Sequence, residues 1–451
     1  MDRSRVGRSD GGLAGARHGR LSPGVSRRRF LAGSLAALAG PQVVRATTLG
    51  RGDAVAPSER IGLGFIGVGS RGTGHVHTFL GRSEAQILAV CDAYRSKGDN
   101  LKAAVEAGYA AKGATNARCD VYQDFRELLA RDDIDAVVIA SPENWHALQG
   151  IAAVEAGKDV YGEKALTLTV TEGRALVQAV RRCARVYQVG TQQRSSRDFR
   201  FACELARNGY LGKIHTIRVG VPGGRELPDA PSTPPPPDLD YELWLGPAPY
   251  TPHNDLKGSF NWYFISDYCA GWIQSWGVHH VDIAQWGAPS LASGTIKVGG
   301  TATFPRAGLA DTSVTWRVEY RTTDDLLLVF SDEGQQDHGC RFEGTDGWVL
   351  VNRSGIWAEP ASLLDVEIKP DDEHLYESLD HHTNFIECIR TRRDPAAAVE
   401  GGHSATTLTL VGDIATRLGR ELTWDWATER FVDCDEANRM LSRPMRAPWR
   451  V

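Results

Sequence analysis

The stretch Ile61-Gly-Leu-Gly-Phe-Ile-Gly-Val-Gly-Ser-Arg-Gly72 constrains this chain more than any other. An apolar run enters a Gly67-x-Gly69-x-x-Gly72 turn. A second apolar run, Gln86 to Val90, follows and ends on Cys91-Asp92. Each part has a physical task. Gly67 permits the tight turn, Gly69 lets backbone approach a pyrophosphate, and Gly72 lets the next helix pack close to the strand. The N-terminus of that helix aims N–H groups and its dipole at the phosphates. Asp92 accepts hydrogen bonds from an adenosine ribose, and its charge repels a 2′-phosphate. The expected cofactor is therefore NAD, with NADP disfavoured.

Alternating strand and helix patterns continue to residue 190. Ile134 to Ser141 reads as a buried parallel strand ended by Pro142, and His146 to Ala156 as a helix. Lys158 to Glu163 and Arg185 to Gly190 read as strands on either side of a helix over Thr169–Cys183. This predicts a Rossmann-type doubly wound parallel sheet over 60–190. Beyond it, Asp198 to Asn208 looks helical. Residues 222–260 form a Pro- and Gly-rich excursion, and alternating apolar residues between 294 and 351 predict antiparallel strands. Helices are expected at His381–Arg392 and His403–Leu418. The fold class is α/β: a Rossmann domain, then a substrate-binding and oligomerisation domain over 191–451 with a large, mostly antiparallel open sheet.

The N-terminus is read separately. Ser26-Arg-Arg-Arg-Phe-Leu31, a weakly apolar run to Ala39 and Val44-Arg-Ala46 make a twin-arginine export signal over 1–46, with a linker over 47–59. The expected location is periplasmic, with no membrane anchor, because the apolar run is too short to span a bilayer. Residues 1–46 hold nine Arg and two Asp, which leaves a net charge of -12 on the remainder. So acidic a body argues against nucleic acid as a partner. The eight Cys show no CxxC and no finger spacing, so they read as buried apolar residues. No metal is expected, since His280 and Asp282 do not share a helical face and no third ligand is evident.

Three motifs carry a resemblance. They are Ala140-Ser-Pro-Glu-Asn-Trp-His146, Glu155-Ala-Gly-Lys-Asp-Val-Tyr-Gly-Glu-Lys164 and Gly271-Trp-Ile-Gln-Ser-Trp-Gly-Val-His-His-Val-Asp-Ile-Ala-Gln-Trp286. In this order they resemble the Gfo/Idh/MocA oxidoreductases, which include glucose–fructose oxidoreductase and inositol dehydrogenase. Gln188-Val-Gly-Thr-Gln-Gln-Arg194 and Arg443-Pro-Met-Arg-Ala-Pro-Trp449 resemble the exported bacterial branch of that family. The resemblance implies hydride transfer at a carbinol carbon of a sugar or polyol, and a homodimer or homotetramer. It implies Lys164 and His279 as catalytic residues. Cofactor contacts are implied at Gly67, Gly69, Ser70, Arg71, Gly72, Asp92, Ser141, Pro142, Asn144, His146, Glu163 and Lys164. Substrate contacts are implied at Arg194, Tyr263, Trp272, Ser275 and His280. His146 also reads as a capping or packing residue at its helix start.

Two positions depart from the family pattern. Ser275 stands where the family has an Asp four residues before the His, and the two are expected on one face of one helix. Ala165 stands where a Pro usually follows the Lys, which is expected to free the local backbone. Three functions follow. The first is an exported NAD-dependent sugar oxidoreductase that recycles a tightly held cofactor within turnover. The second is an NAD-dependent glycosidase of the α-N-acetylgalactosaminidase kind, which oxidises, eliminates, adds water and reduces. The third is a non-catalytic NAD- or sugar-binding protein.

Overall fold

A computed structural model describes residues 56–114 and 116–451. The twin-arginine segment 1–46 and the linker up to residue 55 lie outside the described residues. Residues 58–451 form one compact unit.

The first sheet has six strands: β1 (Ile61–Ile66), β2 (Ala85–Cys91), β3 (Asp120–Tyr122), β4 (Ala136–Ile139), β5 (Asp159–Gly162) and β6 (Tyr187–Val189). Their order is β3-β2-β1-β4-β5-β6, and every pairing is parallel. The apolar runs follow from this arrangement: β1 and β4 are buried along their whole lengths. A strand with helices on both faces cannot show a polar side to water. The order reverses between β1 and β4, and the crevice at their carboxyl ends is where such sheets bind ligands.

The second sheet has nine strands: β7 (Ile214–Val221), β8 (Thr295–Thr303), β9 (Thr315–Thr322), β10 (Leu327–Asp332), β11 (Gly339–Gly344), β12 (Trp348–Asn352), β13 (Gly355–Glu359), β14 (Leu422–Asp425) and β15 (Arg430–Phe431). Their order is β13-β12-β11-β7-β10-β9-β8-β14-β15, and only β7 and β10 pair in parallel. Alternation sets its two faces. Trp316, Val318 and Tyr320 of β9 enter the core beneath helices 277–287 and 399–418, while Glu319 and Arg321 face out. The predicted fold class is the observed one.

Two features depart from simple reading. The helix His381–Thr391, although it lies between β13 and β14 of the second sheet in sequence, packs into the first domain. Phe385, Ile386 and Cys388 join Val76, Phe79, Tyr161 and Val186 in one core. His381 Nε2 hydrogen-bonds the Val189 carbonyl at 2.9 Å, and Val189 N donates to the Ala397 carbonyl at 2.9 Å. The Pro-rich excursion also docks onto the first domain. Arg95 N donates to Asp238 O and Asp240 N to Ala93 O, both at 2.9 Å. It forms part of the wall beside Asp92.

Candidate active site

A cavity of about 710 Å³ opens at the β1/β4 switch point. At one end lies the glycine turn. Gly67 has φ +80° and donates its N–H to the Cys91 carbonyl at 2.9 Å. A Cβ there would meet Ser141 N at 2.5 Å, and one on Gly72 would meet Gly67 O at 2.0 Å. These two glycines hold the turn together. A Cβ on Gly69 would meet nothing within 4 Å, so that glycine leaves open space for a ligand. The helix Ser70–Leu80 begins there with no side-chain cap, which leaves its first N–H groups for an anion. Asp92 lies beside the turn. It accepts from Val68 N and Tyr94 N, each at 2.9 Å. Burial raises its pKa, against the opposing pull of Lys97 and those two N–H groups. An open glycine, an uncapped helix start and an acid at the next strand end fit a dinucleotide.

Glu163 follows β5. Its Oε1 accepts from Arg71 Nε at 2.7 Å and Gln192 Nε2 at 3.1 Å, and lies 2.8 Å from His75 Nε2. Burial alone would raise this carboxyl, but His75 and Arg71 hold it well below the usual range. It pins Arg71 at the cavity wall.

Lys164 is the next residue. Its Nζ donates to Ser275 Oγ and to the Ser275 carbonyl, both at 3.0 Å, and lies 5.7 Å from the centre of the Tyr263 ring. Ser275 Oγ in turn donates to Glu143 Oε1 at 2.9 Å. Glu143 starts the helix Glu143–Glu155, is 1% exposed and leaves Oε2 without a partner. Burial raises its pKa despite nearby Lys164. His279 also lines the cavity, with Nδ1 unpartnered. Burial first, then the charges of Lys164 and Arg353, press its pKa well below the ordinary imidazole value. It is neutral near pH ~7, and its unpartnered Nδ1 is free to hydrogen-bond a ligand in the cavity.

Aromatic rings surround this end. Tyr263 stacks on Trp262 at 3.8 Å, Trp276 lies 5.7 Å from His279, and Trp272 closes another side. Arg353, from the turn between β12 and β13, sits 5.0 Å over Trp276. Such faces suit the C–H faces of a sugar ring.

The structure thus brings Gly67, Gly69, Ser70, Arg71, Asp92, Ser141, Pro142, Glu163, Lys164, Tyr263, Trp272, Ser275 and His279 to one cavity. The other expected contacts lie elsewhere. Gly72 sits beneath the turn. Asn144 spends its amide on the Leu245 carbonyl at 3.1 Å. His146 is clamped between the Ala165 carbonyl at 2.7 Å and the Ser141 carbonyl at 2.9 Å, which is the packing role its position allowed. Arg194, expected on substrate, is bound bidentately by buried Asp282 at 2.7 and 2.8 Å. His280 is 0% exposed, between the rings of Phe199 and His338. The single helix expected to carry both Ser275 and His279 breaks at Trp276, between Trp272–Ser275 and Gly277–Gly287. Ala165 is not freed: it is buried and its carbonyl is held by His146. Among the described residues, no group of His, Cys, Asp and Glu could hold a metal ion, and no helix is long and apolar enough to cross a membrane.

Sequence reasoning missed two residues. Glu143 lay inside a quoted motif, and an acid directly after a strand-ending Pro was the available signal. Arg353 had no signal, since nothing in a hairpin turn ties it to a site so distant in sequence.

Comparison with known proteins bears on this cavity. Residues 61–191 match the profile described as oxidoreductase family, NAD-binding Rossmann fold. Residues 223–451 match its C-terminal alpha/beta domain. A glycosyl hydrolase family 109 protein from Shewanella sp. (strain ANA-3) is 30% identical over 205 residues, covering 42% of this chain and 44% of the relative. The chain thus matches less than half the length of that curated relative. A scyllo-inositol dehydrogenase from Lactobacillus casei, solved with NAD(H) and scyllo-inositol, superposes with TM-score 0.55 at 19% identity, covering 81% of this chain and 99% of that one. The WlbA dehydrogenase from Bordetella pertussis, solved with NADH and UDP-GlcNAcA, gives TM-score 0.56 at 18% identity, covering 80% and 98%. These two likenesses concern the fold.

Proposed function

Because the chain belongs to the Gfo/Idh/MocA oxidoreductase family, we propose that it oxidises a hydroxyl-bearing carbon of a sugar or polyol, with NAD held on the glycine turn. One observation carries this reading. The dinucleotide cradle, the Lys164 amine, the His279 imidazole and the aromatic wall share a single cavity. Bound NAD supplies a hydride acceptor. The protein's residues do the rest. Lys164 and His279 hold or take the hydroxyl proton, since hydride loss leaves a carbonyl only if that proton also departs. Trp262, Tyr263, Trp272 and Trp276 seat the ring and exclude water.

The twin-arginine pattern supports export of the folded, cofactor-loaded chain. An exported enzyme meets no free nicotinamide pool, so the cofactor is restored within each turnover. Replacing Arg27 and Arg28 together by Lys should retain the precursor in the cytoplasm, and normal export of that variant would refute the assignment.

A second reading is favoured by the likeness to glycosyl hydrolase family 109 proteins. Here transient oxidation acidifies a neighbouring C–H, an aglycone leaves, water adds, and the carbonyl is reduced back. Product analysis on a panel of free sugars, polyols and nitrophenyl glycosides separates the two. A ketose or lactone supports the first, and a released aglycone with unchanged cofactor the second. Bound NAD with no product from any panel member leaves a binding protein.

A further inference from the structure

The acid missing from position 275 has a counterpart on the other domain. Glu143 Oε1, Ser275 Oγ and Lys164 Nζ form an unbroken chain of hydrogen bonds at 2.9 and 3.0 Å. We propose that Glu143 is the proton acceptor that converts Lys164 into a base, acting through the Ser275 hydroxyl. This rests on the reading of the cavity as a site of hydroxyl oxidation.

The chemistry balances. At rest, Lys164 and Glu143 hold one proton between them in two forms that interconvert, ammonium with carboxylate and amine with carboxylic acid, and the second form is the reactive one. To reach it, the ammonium passes a proton to Ser275 Oγ as the Ser275 hydroxyl proton passes to Glu143 Oε1. A neutral amine and a carboxylic acid result. The amine then takes the substrate hydroxyl proton while the C–H bond breaks and its hydride leaves to bound NAD. Lys164 ends as ammonium and Glu143 as acid, one proton more than at rest. Reduction of a carbonyl in the return step removes that proton and the hydride together. No outside oxidant or reductant is needed.

Three observations support this assignment over a structural carboxylate. Glu143 has no cationic ion-pair partner at hydrogen-bond distance, and Oε2 has no partner at all. A buried carboxylate so poorly bonded is costly, and the neutral acid is favoured. Ser275 has only one hydroxyl proton. With Lys164 as ammonium donating to its oxygen, that proton points at Glu143; in the amine–acid form both donors reverse, so one hydroxyl serves both ends of the relay. Other groups facing the chain are His146, whose charge would oppose protonation of Glu143, and Tyr263 and Cys269, which are held neutral by burial.

The test compares wild type, Glu143→Gln and Ser275→Ala as NAD-loaded proteins. Infrared titration reads the carboxyl directly. Wild type should show a protonated-carboxyl band that persists above the normal Glu range near ~4.3, and Glu143→Gln should lack it. Absence of that band in wild type overturns the relay whatever the substrate. Kinetics with myo-inositol, glucose and N-acetylgalactosamine as probes follow reduction of bound cofactor. With any probe that reacts, Glu143→Gln should lower the rate about 100-fold and remove the acidic limb of the pH profile, with KM and NAD occupancy little changed. Ser275→Ala should give an intermediate loss. Wild-type rates and pH profile in Glu143→Gln overturn the relay. If wild type reduces cofactor with no probe, the proposed function falls, and the infrared result alone decides the role of Glu143.

Discussion

Substituting the three glycines one at a time separates building the turn from serving the ligand. Gly69 has φ −63° and ψ −167°, which alanine adopts freely, and its Cβ would enter empty space. Gly69→Ala should therefore leave the cofactor-free fold intact, or stabilise it by about 0.4–1 kcal/mol through the unfolded chain. The methyl group would occupy the space through which a diphosphate approaches backbone. Loss of one charge-assisted hydrogen bond, about 1.5–3 kcal/mol, weakens NAD roughly 10- to 100-fold. Gly67→Ala differs. Its φ of +80° costs about 1–2 kcal/mol. Its Cβ would lie 2.5 Å from Ser141 N, a backbone atom that cannot rotate away, and overpacking adds about 1–3 kcal/mol. Gly72→Ala meets Gly67 O at 2.0 Å and should behave likewise. Thermal unfolding of stripped protein and quenching of tryptophan fluorescence by NAD measure the two effects. Unchanged NAD affinity in Gly69→Ala, or a melting point lowered as far as in Gly67→Ala, would refute the reasoning.

Further outcomes are expected. Lys164→Ala and His279→Ala should each cost at least about 100-fold in turnover while NAD stays bound, and wild-type turnover in Lys164→Ala would rule out its role. Asp92→Ala should erode the preference for NAD over NADP. It should also lower the melting point, because Val68 N and Tyr94 N lose their acceptor; an unchanged NADP affinity would contradict the first part. His381 and His382 are held neutral by burial, their pKa values lowered from 6.5 to about 4 and about 3. The unfolded chain takes up these protons first, so stability is fully present above 6.5 and lost as pH falls toward the folded values. Melting curves for His382→Gln should be flatter across that window, and equal slopes would dismiss this source. The outward face of the second sheet exposes Lys297, Glu319 and Arg321, and we expect a homodimer or homotetramer to cover it. A monomer by light scattering at micromolar concentration would count against that.

The first domain was legible because parallel strands buried on both faces leave continuous apolar runs, and because Gly67, Gly69, Gly72 and Asp92 each answer to a stated geometric need. Lys164 was legible as a residue beyond a strand end on the ligand side of the sheet. What escaped has a common cause. Glu143 and Ser275 are 132 residues apart, and their bond exists only once two domains meet. Arg194 and His280 are of the residue types that bind sugars, yet Asp282 and two aromatic rings take them up. Composition and spacing do not record which neighbour claims a side chain. The break at Trp276 was hidden for a similar reason: the spacing of Ser275 and His279 fits one helix, yet they reach the cavity from two short ones.

The placement of His381–Thr391 bears on how the molecule is made. A nascent chain that has emerged only as far as β6 lacks the side chains of Phe385 and Ile386, both buried in the nucleotide domain. It also lacks Ala397, whose carbonyl receives Val189 N. Each missing apolar side chain withholds about 1.5–3 kcal/mol from that core. The ligand-binding half therefore reaches its full stability only after the rest is made. Synthesis must pass residue 397 before the glycine turn rests on a finished sheet. Cofactor capture then reports completion of nearly the whole polypeptide, and a fragment cut at 190 should behave as an unfinished protein rather than as an isolated nucleotide-binding module.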